Sequence, residues 1–182
     1  MPKILVLYAH PNPNESKINR TLINAAADLK GVTIHDLYHH YPDFDIDIKV
    51  EQDLLIQADI IVFQHPLYWY SCPAILKEWL DVILQNGFAY GDHGSKLQGK
   101  KWLQAVTTGG DLQSYGAAGK HKNSIADFLR PFECTAAFCD MDYLPAFVCQ
   151  DVMHLDPQQI EQQTQRYLDL LKSLIKGEAE YA

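Results

Sequence analysis

The fold is decided by residues 3–19, Lys3-Ile4-Leu5-Val6-Leu7-Tyr8-Ala9-His10-Pro11-Asn12-Pro13-Asn14-Glu15-Ser16-Lys17-Ile18-Asn19. An apolar run typical of a buried strand leads through a polar turn into a helix. Such a turn commonly binds a phosphate, because a helix N-terminus presents free N–H groups and a partial positive charge. The glycine-rich loops that bind dinucleotides or ATP are absent, since the first glycine is Gly31. The turn therefore favours a flavin phosphate, held by helix amides and by the side chains of His10, Ser16 and Asn19.

Length and composition restrict the class of protein. The chain has 182 residues with a formal net charge of −8, 47% hydrophobic residues and 21% charged residues. No linker divides it, so residues 1–182 are expected to form a single domain. The acidic balance argues against nucleic acid as a partner, because phosphate backbones are bound by basic surfaces. No apolar run approaches the ~20 residues that span a bilayer, and a signal peptide pattern is absent, so we expect a cytoplasmic protein.

The cysteines predict no metal site. They show no Cys-x-x-Cys spacing, which argues against zinc. We expect four reduced thiols, as is usual in the cytoplasm: Cys72, Cys134, Cys139 and Cys149.

Apolar strand-like runs alternate with helical patterns along the chain. Strands are predicted at 3–9, 32–37, 59–65, 101–107 and 142–148. Helices are predicted at 16–29, 50–57, 73–86, 124–139 and 157–175, with Pro131 breaking the fourth in two. This alternation implies right-handed crossovers and a parallel sheet covered on both faces. The pattern predicts an α/β flavodoxin-like three-layer sandwich with a five-stranded parallel sheet in the order 2-1-3-4-5.

In such a sheet the ligand lies beyond the carboxyl ends of strands 1, 3 and 4, which singles out the loops 10–19, 66–72 and 107–121. In the first loop, Ser16 caps the helix, contacts a phosphate, or does both. The second loop places three aromatic residues between two prolines, which favours a ligand wall or a dimer surface: Tyr68, Trp69 and Tyr70.

The third loop contains paired glycines, which let a backbone turn sharply and approach a ligand closely. Hydroxyl groups precede them in the segment Thr107-Thr108-Gly109-Gly110, and Tyr115 and His121 follow. A loop rich in Gly and Ala is also simply flexible, so it is informative only together with the other two loops.

Three motifs, taken in register, resemble the flavodoxin-like NAD(P)H:quinone reductase family: His10-Pro11, Pro66-Leu67-x-Trp69 and Thr107-Thr108-Gly109-Gly110. Within that family the chain is most similar to the ancillary subunits of bacterial glutathione-gated potassium efflux (Kef) systems. Four segments carry this closer likeness: His35-Asp36-Leu37-Tyr38, Tyr41-Pro42-Asp43-Phe44-x-Ile46-Asp47, Gln64-His65-Pro66-Leu67-Tyr68-x-Tyr70-Ser71-Cys72-Pro73 and Leu76-Lys77-Glu78-Trp79-Leu80-Asp81.

The resemblance implies a set of site residues. The flavin phosphate would contact His10, Ser16, Lys17, Ile18 and Asn19. The flavin ring would lie against Pro66, Leu67, Tyr68, Trp69, Thr107, Thr108, Gly109 and Gly110. Catalysis would depend on Tyr115 and His121, near flavin O2 and the quinone oxygens. The chain lacks the long C-terminal extension of the FAD-binding members, so FMN is preferred and FAD is the alternative.

The resemblance also implies the activity. We expect a homodimer that transfers a hydride from NAD(P)H to quinones or related electrophiles and activates a potassium efflux antiporter. It would be cytoplasmic, or peripheral on the cytoplasmic face of the inner membrane. One alternative is a non-catalytic, flavin-bound regulatory subunit of that antiporter. A one-electron carrier is disfavoured because the first loop is not the Thr/Gly-rich loop of flavodoxins, and an α/β domain without flavin is the remaining interpretation.

Overall fold

The computed structural model describes residues 1–12, 14–92 and 94–178. These residues form the strands β1 (Ile4–Tyr8), β2 (Val32–Asp36), β3 (Ile60–Pro66), β4 (Lys101–Thr107), β5 (Asp142–Tyr143) and β6 (Phe147–Cys149). The helices are α1 (Lys17–Ala27), α2 (Leu37–His40), α3 (Ile48–Gln57), α4 (Ala74–Ile83), α5 (Ile125–Phe138) and α6 (Pro157–Lys176). None of the helices in these ranges has both the length and the apolar character needed to cross a membrane.

The strands form one parallel sheet in the order β2-β1-β3-β4-β5, with β6 also paired to β4. This confirms the predicted strand order. The register runs from Ile4 opposite Ile60 to Tyr8 opposite Gln64, and β3 ends with Pro66 opposite Thr107. The carboxyl ends of β1, β3 and β4 therefore lie at one edge, and the three loops singled out by the sequence all start there.

Apolar clusters cover both faces of the sheet. On one face Phe63 stacks on Trp102 with 4.0 Å between ring centroids, and α3, α4 and α5 pack over them. On the other face α1 and α6 pack against each other and against the inner strands. All of β3 is buried, as expected for a strand covered on both sides.

The prediction of one fifth strand over 142–148 was wrong. The segment forms two short strands, β5 and β6, separated by Leu144, Pro145 and Ala146, and each pairs with β4. Proline has no N–H to contribute to a ladder, so the pairing is interrupted around Pro145 and resumes at Phe147.

Two helix predictions also need correction. Pro131 does not break the fourth helix, because α5 runs continuously from Ile125 to Phe138. A capping box at Ser124 fixes its start, and buried Leu129, Phe132 and Ala136 hold both sides of the proline against the sheet. Tertiary packing here outweighs the lost hydrogen bond. The sequence patterns also missed the four-residue helix α2, which Asp36 caps.

A buried polar cluster ties β2, α3 and α4 together around Glu51. The Glu51 side chain, fully enclosed, accepts hydrogen bonds from Tyr41 Oη at 2.6 Å and Trp79 Nε1 at 2.7 Å. His35 Nε2 lies 2.6 Å from the same carboxylate. Burial opposes the charged form of Glu51, yet these three hydrogen bonds hold its pKa below the ordinary value. Both carboxylate oxygens are thus satisfied by protein groups.

Candidate functional site

A cleft of about 330 Å³ opens at the carboxyl edge of the sheet, between the loops that follow β1, β3 and β4. Most of the predicted cofactor residues line it: His10, Ser16, Lys17, Ile18, Asn19, Pro66, Leu67, Tyr68, Thr107 and Gly109. Pro13 of the first loop lies outside the described residues. The chain fold therefore brings together residues that are nearly 100 positions apart in sequence.

The N-terminus of α1 lies at this cleft, and its first backbone N–H groups have no acceptor among the described residues. Ser16 is the N-cap residue, yet its side chain accepts no hydrogen bond from the helix. The backbone N–H groups of Lys17, Ile18 and Asn19 belong to the first turn, where no intrahelical acceptor exists. Ser16 is itself buried and lines the cleft. The interpretation of Ser16 as a side-chain cap alone is therefore wrong in this structure, because its hydroxyl makes no hydrogen bond to the helix.

His10 adds another donor to the same part of the cleft. The backbone N–H of Asn12 donates to His10 Nδ1 over 3.2 Å, so Nδ1 is the acceptor nitrogen of the ring. Burial lowers the pKa of His10, which keeps the ring neutral at pH 7. A neutral ring that accepts at Nδ1 carries its proton on Nε2. His10 is thus an Nε2 donor at the wall of the cleft.

The second loop is a tight turn. Tyr68 and Ser71 exchange backbone hydrogen bonds of 3.1 and 2.9 Å, and both central residues are left-handed, with φ of 47° at Trp69 and 64° at Tyr70. Non-glycine residues adopt this conformation at a cost of about 1–3 kcal/mol each, and such strain often marks functional sites. Tyr68 lines the cleft, whereas the Trp69 side chain is 93% exposed and does not.

In the third loop, Thr108 makes two hydrogen bonds to the surrounding backbone. Its N–H donates to Cys149 O over 2.9 Å, and its hydroxyl donates to Gly110 O over 2.8 Å. Thr108 does not line the cleft but fixes the path of the glycines that follow it. Gly109 has open space where a Cβ would be, so a ligand has room beside its backbone.

Tyr115 and His121 lie together over Gly110, just outside the cleft lining. Their rings stack with 4.6 Å between centroids. Tyr115 Oη and His121 Nε2 lie 3.2 and 3.3 Å from the point that a Cβ on Gly110 would occupy. Tyr70 Oη lies 3.2 Å from His121 Nδ1, which links the second and third loops. A side chain at Gly110 would therefore crowd both rings, and the two polar atoms lie side by side next to this glycine.

The sequence reasoning missed four lining residues: Asn12 and Glu15, which lie within the predicted first loop, and Val152 and Met153, which lie in none of the three loops. Val152 and Met153 follow β6, and Val152 N–H donates to Thr108 O over 3.1 Å, which brings this segment to the cleft. An exposed methionine after a short strand carries no chemical motif, so only the rule that loops after neighbouring strands meet at one edge could have indicated it.

Within the described ranges, no group of three or more His, Cys, Asp and Glu side chains is arranged to hold a metal ion. The donor set of the cleft instead fits an anion attached to a flat ring system. The lining combines a hydroxyl, a neutral imidazole N–H and helix amides with an apolar wall and an accessible glycine backbone. Glu15 and Lys17 also line the cleft and carry opposite charges.

Comparisons with known proteins agree with this geometry. The sequence profile of a family described as having a flavodoxin-like fold matches residues 2–171. The glutathione-regulated potassium-efflux system ancillary protein KefG of Pectobacterium atrosepticum is 49% identical over 177 residues, or 97% of each chain. The general stress protein 14 of Treponema denticola, solved in complex with FMN, superposes with a TM-score of 0.91 at 39% identity over 95% of this chain and 99% of that one.

A third relative is an NADPH-quinone reductase from P. pentosaceus, with a TM-score of 0.84 at 33% identity over 92% of this chain and 96% of that one. The predicted resemblance is thereby confirmed for the family. The chain belongs to the flavodoxin-like fold family and is similar, over 97% of its residues, to an ancillary protein of a glutathione-regulated potassium-efflux system.

Proposed function

We propose that this protein binds FMN in the cleft and transfers two electrons as a hydride from NAD(P)H to quinones or related electrophiles. The observation that carries the proposal is the start of α1 at the cleft: its first amides have no acceptor among the described residues, and the N-cap Ser16 lines the cleft without a side-chain cap hydrogen bond. Similarity to an FMN complex and to an NADPH-quinone reductase supports it. When bound, FMN supplies the hydride chemistry, and the protein supplies binding, orientation and electrostatics.

Each predicted residue then has a role that follows from its position. The Ser16 hydroxyl, the first amides of α1 and His10 Nε2 would hold the phosphate. Pro66, Leu67 and Tyr68 would form the wall for the ring. Tyr115 and His121 would direct Oη and Nε2 toward the negative charge that reduction places on the ring, in a region partly shielded from water. The exposed Trp69 would be covered by a second subunit of a homodimer.

The catalytic role of His121 has a direct test. His121→Ala should slow the reduction of bound FMN by NADPH, or its reoxidation by a quinone, by about a hundredfold, because one preorganised donor is lost. Stopped-flow absorbance of the bound flavin measures both half-reactions separately. His154→Ala is the matched control, since His154 pairs with Asp151 on the exposed surface. Unchanged rates in both half-reactions of His121→Ala would exclude this role.

A second candidate function is regulation of a potassium efflux antiporter. The 49% identity to an ancillary protein of such a system favours it. Potassium efflux from cells that carry the antiporter would be measured with His121→Ala, which should bind FMN but turn over slowly, and with Ser16→Ala, which should bind FMN weakly. Full activation by the first variant and reduced activation by the second would support a flavin-bound regulator without catalysis.

A further inference from the structure

Four buried polar side chains connect the last helix to the floor of the cleft. Tyr167 Oη of α6 donates to Gln64 Oε1 of β3 over 2.9 Å. Gln64 Nε2 lies 3.1 Å from Asn19 O and 3.4 Å from Asn19 Oδ1. Asn19 Nδ2 donates to Thr107 Oγ1 over 2.7 Å. All four side chains are at most 3% exposed, so their hydrogen bonds are not shared with bulk water.

The direction of each hydrogen bond among these four side chains follows from one acceptor whose identity is fixed. The carbonyl oxygen of Asn19 is backbone and accepts only, so the end of Gln64 that faces it is the NH2 group. Gln64 Oε1 then faces Tyr167, whose hydroxyl must donate. The same amide group of Gln64 also faces Asn19 Oδ1, which turns Asn19 Nδ2 toward Thr107. Thr107 Oγ1 is therefore an acceptor in this contact.

Of these four side chains, Thr107 is the one whose hydroxyl proton has no acceptor among the described residues. Its hydroxyl is buried, and Thr107 lines the cleft. A buried donor without a partner costs about 1–3 kcal/mol, which a ligand acceptor would offset. We propose that Tyr167, Gln64 and Asn19 form a relay that fixes the Thr107 hydroxyl as a hydrogen-bond donor into the cleft, toward a lone pair of the flavin. This assigns Tyr167 and Gln64 as positioning residues, and it rests on the proposed function.

Gln64→Met tests the relay, because methionine has nearly the same volume but no amide. FMN affinity, followed by quenching of flavin fluorescence, should fall about tenfold in Gln64→Met and in Thr107→Val, and should be retained in Thr107→Ser. In the double variant the loss should be no greater than in Thr107→Val alone, because both substitutions remove the same donor. Independent, additive losses would show that Gln64 acts only on packing and would overturn the relay.

Tyr167→Phe removes a single oxygen atom and can replace Gln64→Met in the same comparison of single and double variants. It therefore covers the case in which Gln64→Met does not fold. Tyr143→Phe is its control, because the buried Tyr143 hydroxyl has no partner among the described residues. Tyr167→Phe should lower FMN affinity when Thr107 is present but not in the Thr107→Val background, whereas Tyr143→Phe should show no such dependence on Thr107. An equal effect in both backgrounds would overturn the relay.

A readout in the ligand-free protein separates this inference from the proposed function. The side-chain NH2 protons of Asn19 should exchange slowly with solvent, and exchange should accelerate in Gln64→Met but not in Tyr143→Phe. Rapid exchange in the unaltered protein would overturn the relay. Failure of the unaltered protein to bind FMN would instead overturn the proposed function, even with protected Asn19 protons.

Discussion

The buried Glu51 cluster and the cleft are built from similar polar groups but differ in whether those groups are satisfied. Both oxygens of Glu51 accept from protein donors, and the cluster is closed. In the cleft, the Ser16 side chain makes no cap hydrogen bond to α1, and His10 Nε2 and the Thr107 proton lack protein acceptors among the described residues. Because buried polar groups are normally paired, this is the difference expected between a structural cluster and the binding site that we propose.

Removal of the carboxylate at Glu51 should have the largest effect on the free energy of unfolding. Glu51→Gln replaces one of the two acceptor oxygens by an amide and removes the charge that three hydrogen bonds stabilise, so the free energy of unfolding should fall by about 3 kcal/mol. Urea unfolding of the ligand-free protein measures this. FMN affinity of the folded variant should change little, because Glu51 lies outside the cleft. A stable variant that no longer binds FMN would break the distinction between the two clusters.

The acid stability of the protein should depend on the same residue. Because the folded pKa of Glu51 lies below its ordinary value of 4.5, its contribution is present above about pH 4.5 and is lost as the pH falls through the folded pKa. The free energy of unfolding should therefore decrease less steeply below pH 4.5 in Glu51→Gln than in the unaltered protein. Parallel pH profiles would show that the three hydrogen bonds do not stabilise the ionised form.

Two helix-capping serines sharpen the comparison at an intermediate magnitude. Ser16→Ala should lower FMN affinity about tenfold, through loss of a hydrogen bond to a charged group, and should leave stability nearly unchanged. Ser124→Ala should do the opposite, because Ser124 belongs to a capping box with Asp127, and its loss should cost about 1 kcal/mol. Calorimetric titration gives the FMN affinity of each variant, and urea unfolding gives its free energy of unfolding. Equal stability losses would contradict a free hydroxyl at Ser16.

The smallest expected effect is a change in the protonation of His10. Burial lowers its pKa in the ligand-free protein, and a phosphate dianion beside Nε2 should raise it again. An NMR titration of the His10 ring with and without FMN measures the direction. Riboflavin is the control, because it lacks the phosphate and should leave the pKa low. A pKa that does not respond to FMN would place the phosphate elsewhere.

Local sequence patterns were sufficient for the sheet and for the edge at which the site lies. The continuous apolar run of β3 and the helical spacing of α6 report burial directly, so the strand order and the three carboxyl-edge loops followed from them, whereas most individual lining residues were implied by the family resemblance. The same patterns carry no information on which buried polar side chains meet. Tyr167 and Gln64 are 103 positions apart, and only the packing of α6 on the sheet joins them. The polar residues Gln64 and His65, which follow the apolar run of a fully buried strand, were the signal that such partners exist.

The sequence patterns also gave wrong element boundaries near two prolines, again because the outcome depends on contacts between distant residues. Pro145 interrupts a strand as its chemistry predicts, yet Pro131 is accommodated in a continuous helix. The cost of a missing N–H is local, whereas the packing on either side that offsets it depends on the folded neighbours. Sequence rules therefore located the carboxyl-edge loops correctly but did not decide element boundaries near prolines.

The affinity of the unaltered protein for FMN compared with riboflavin tests the central claim most directly. The two ligands share the ring and the ribityl chain and differ in the phosphate alone. If the α1 N-terminus, Ser16 and His10 hold that phosphate, calorimetric titration should show FMN binding at least about a hundredfold more tightly, the effect of two or more charge-assisted hydrogen bonds. Equal affinities, or no binding of either ligand, would contradict the account.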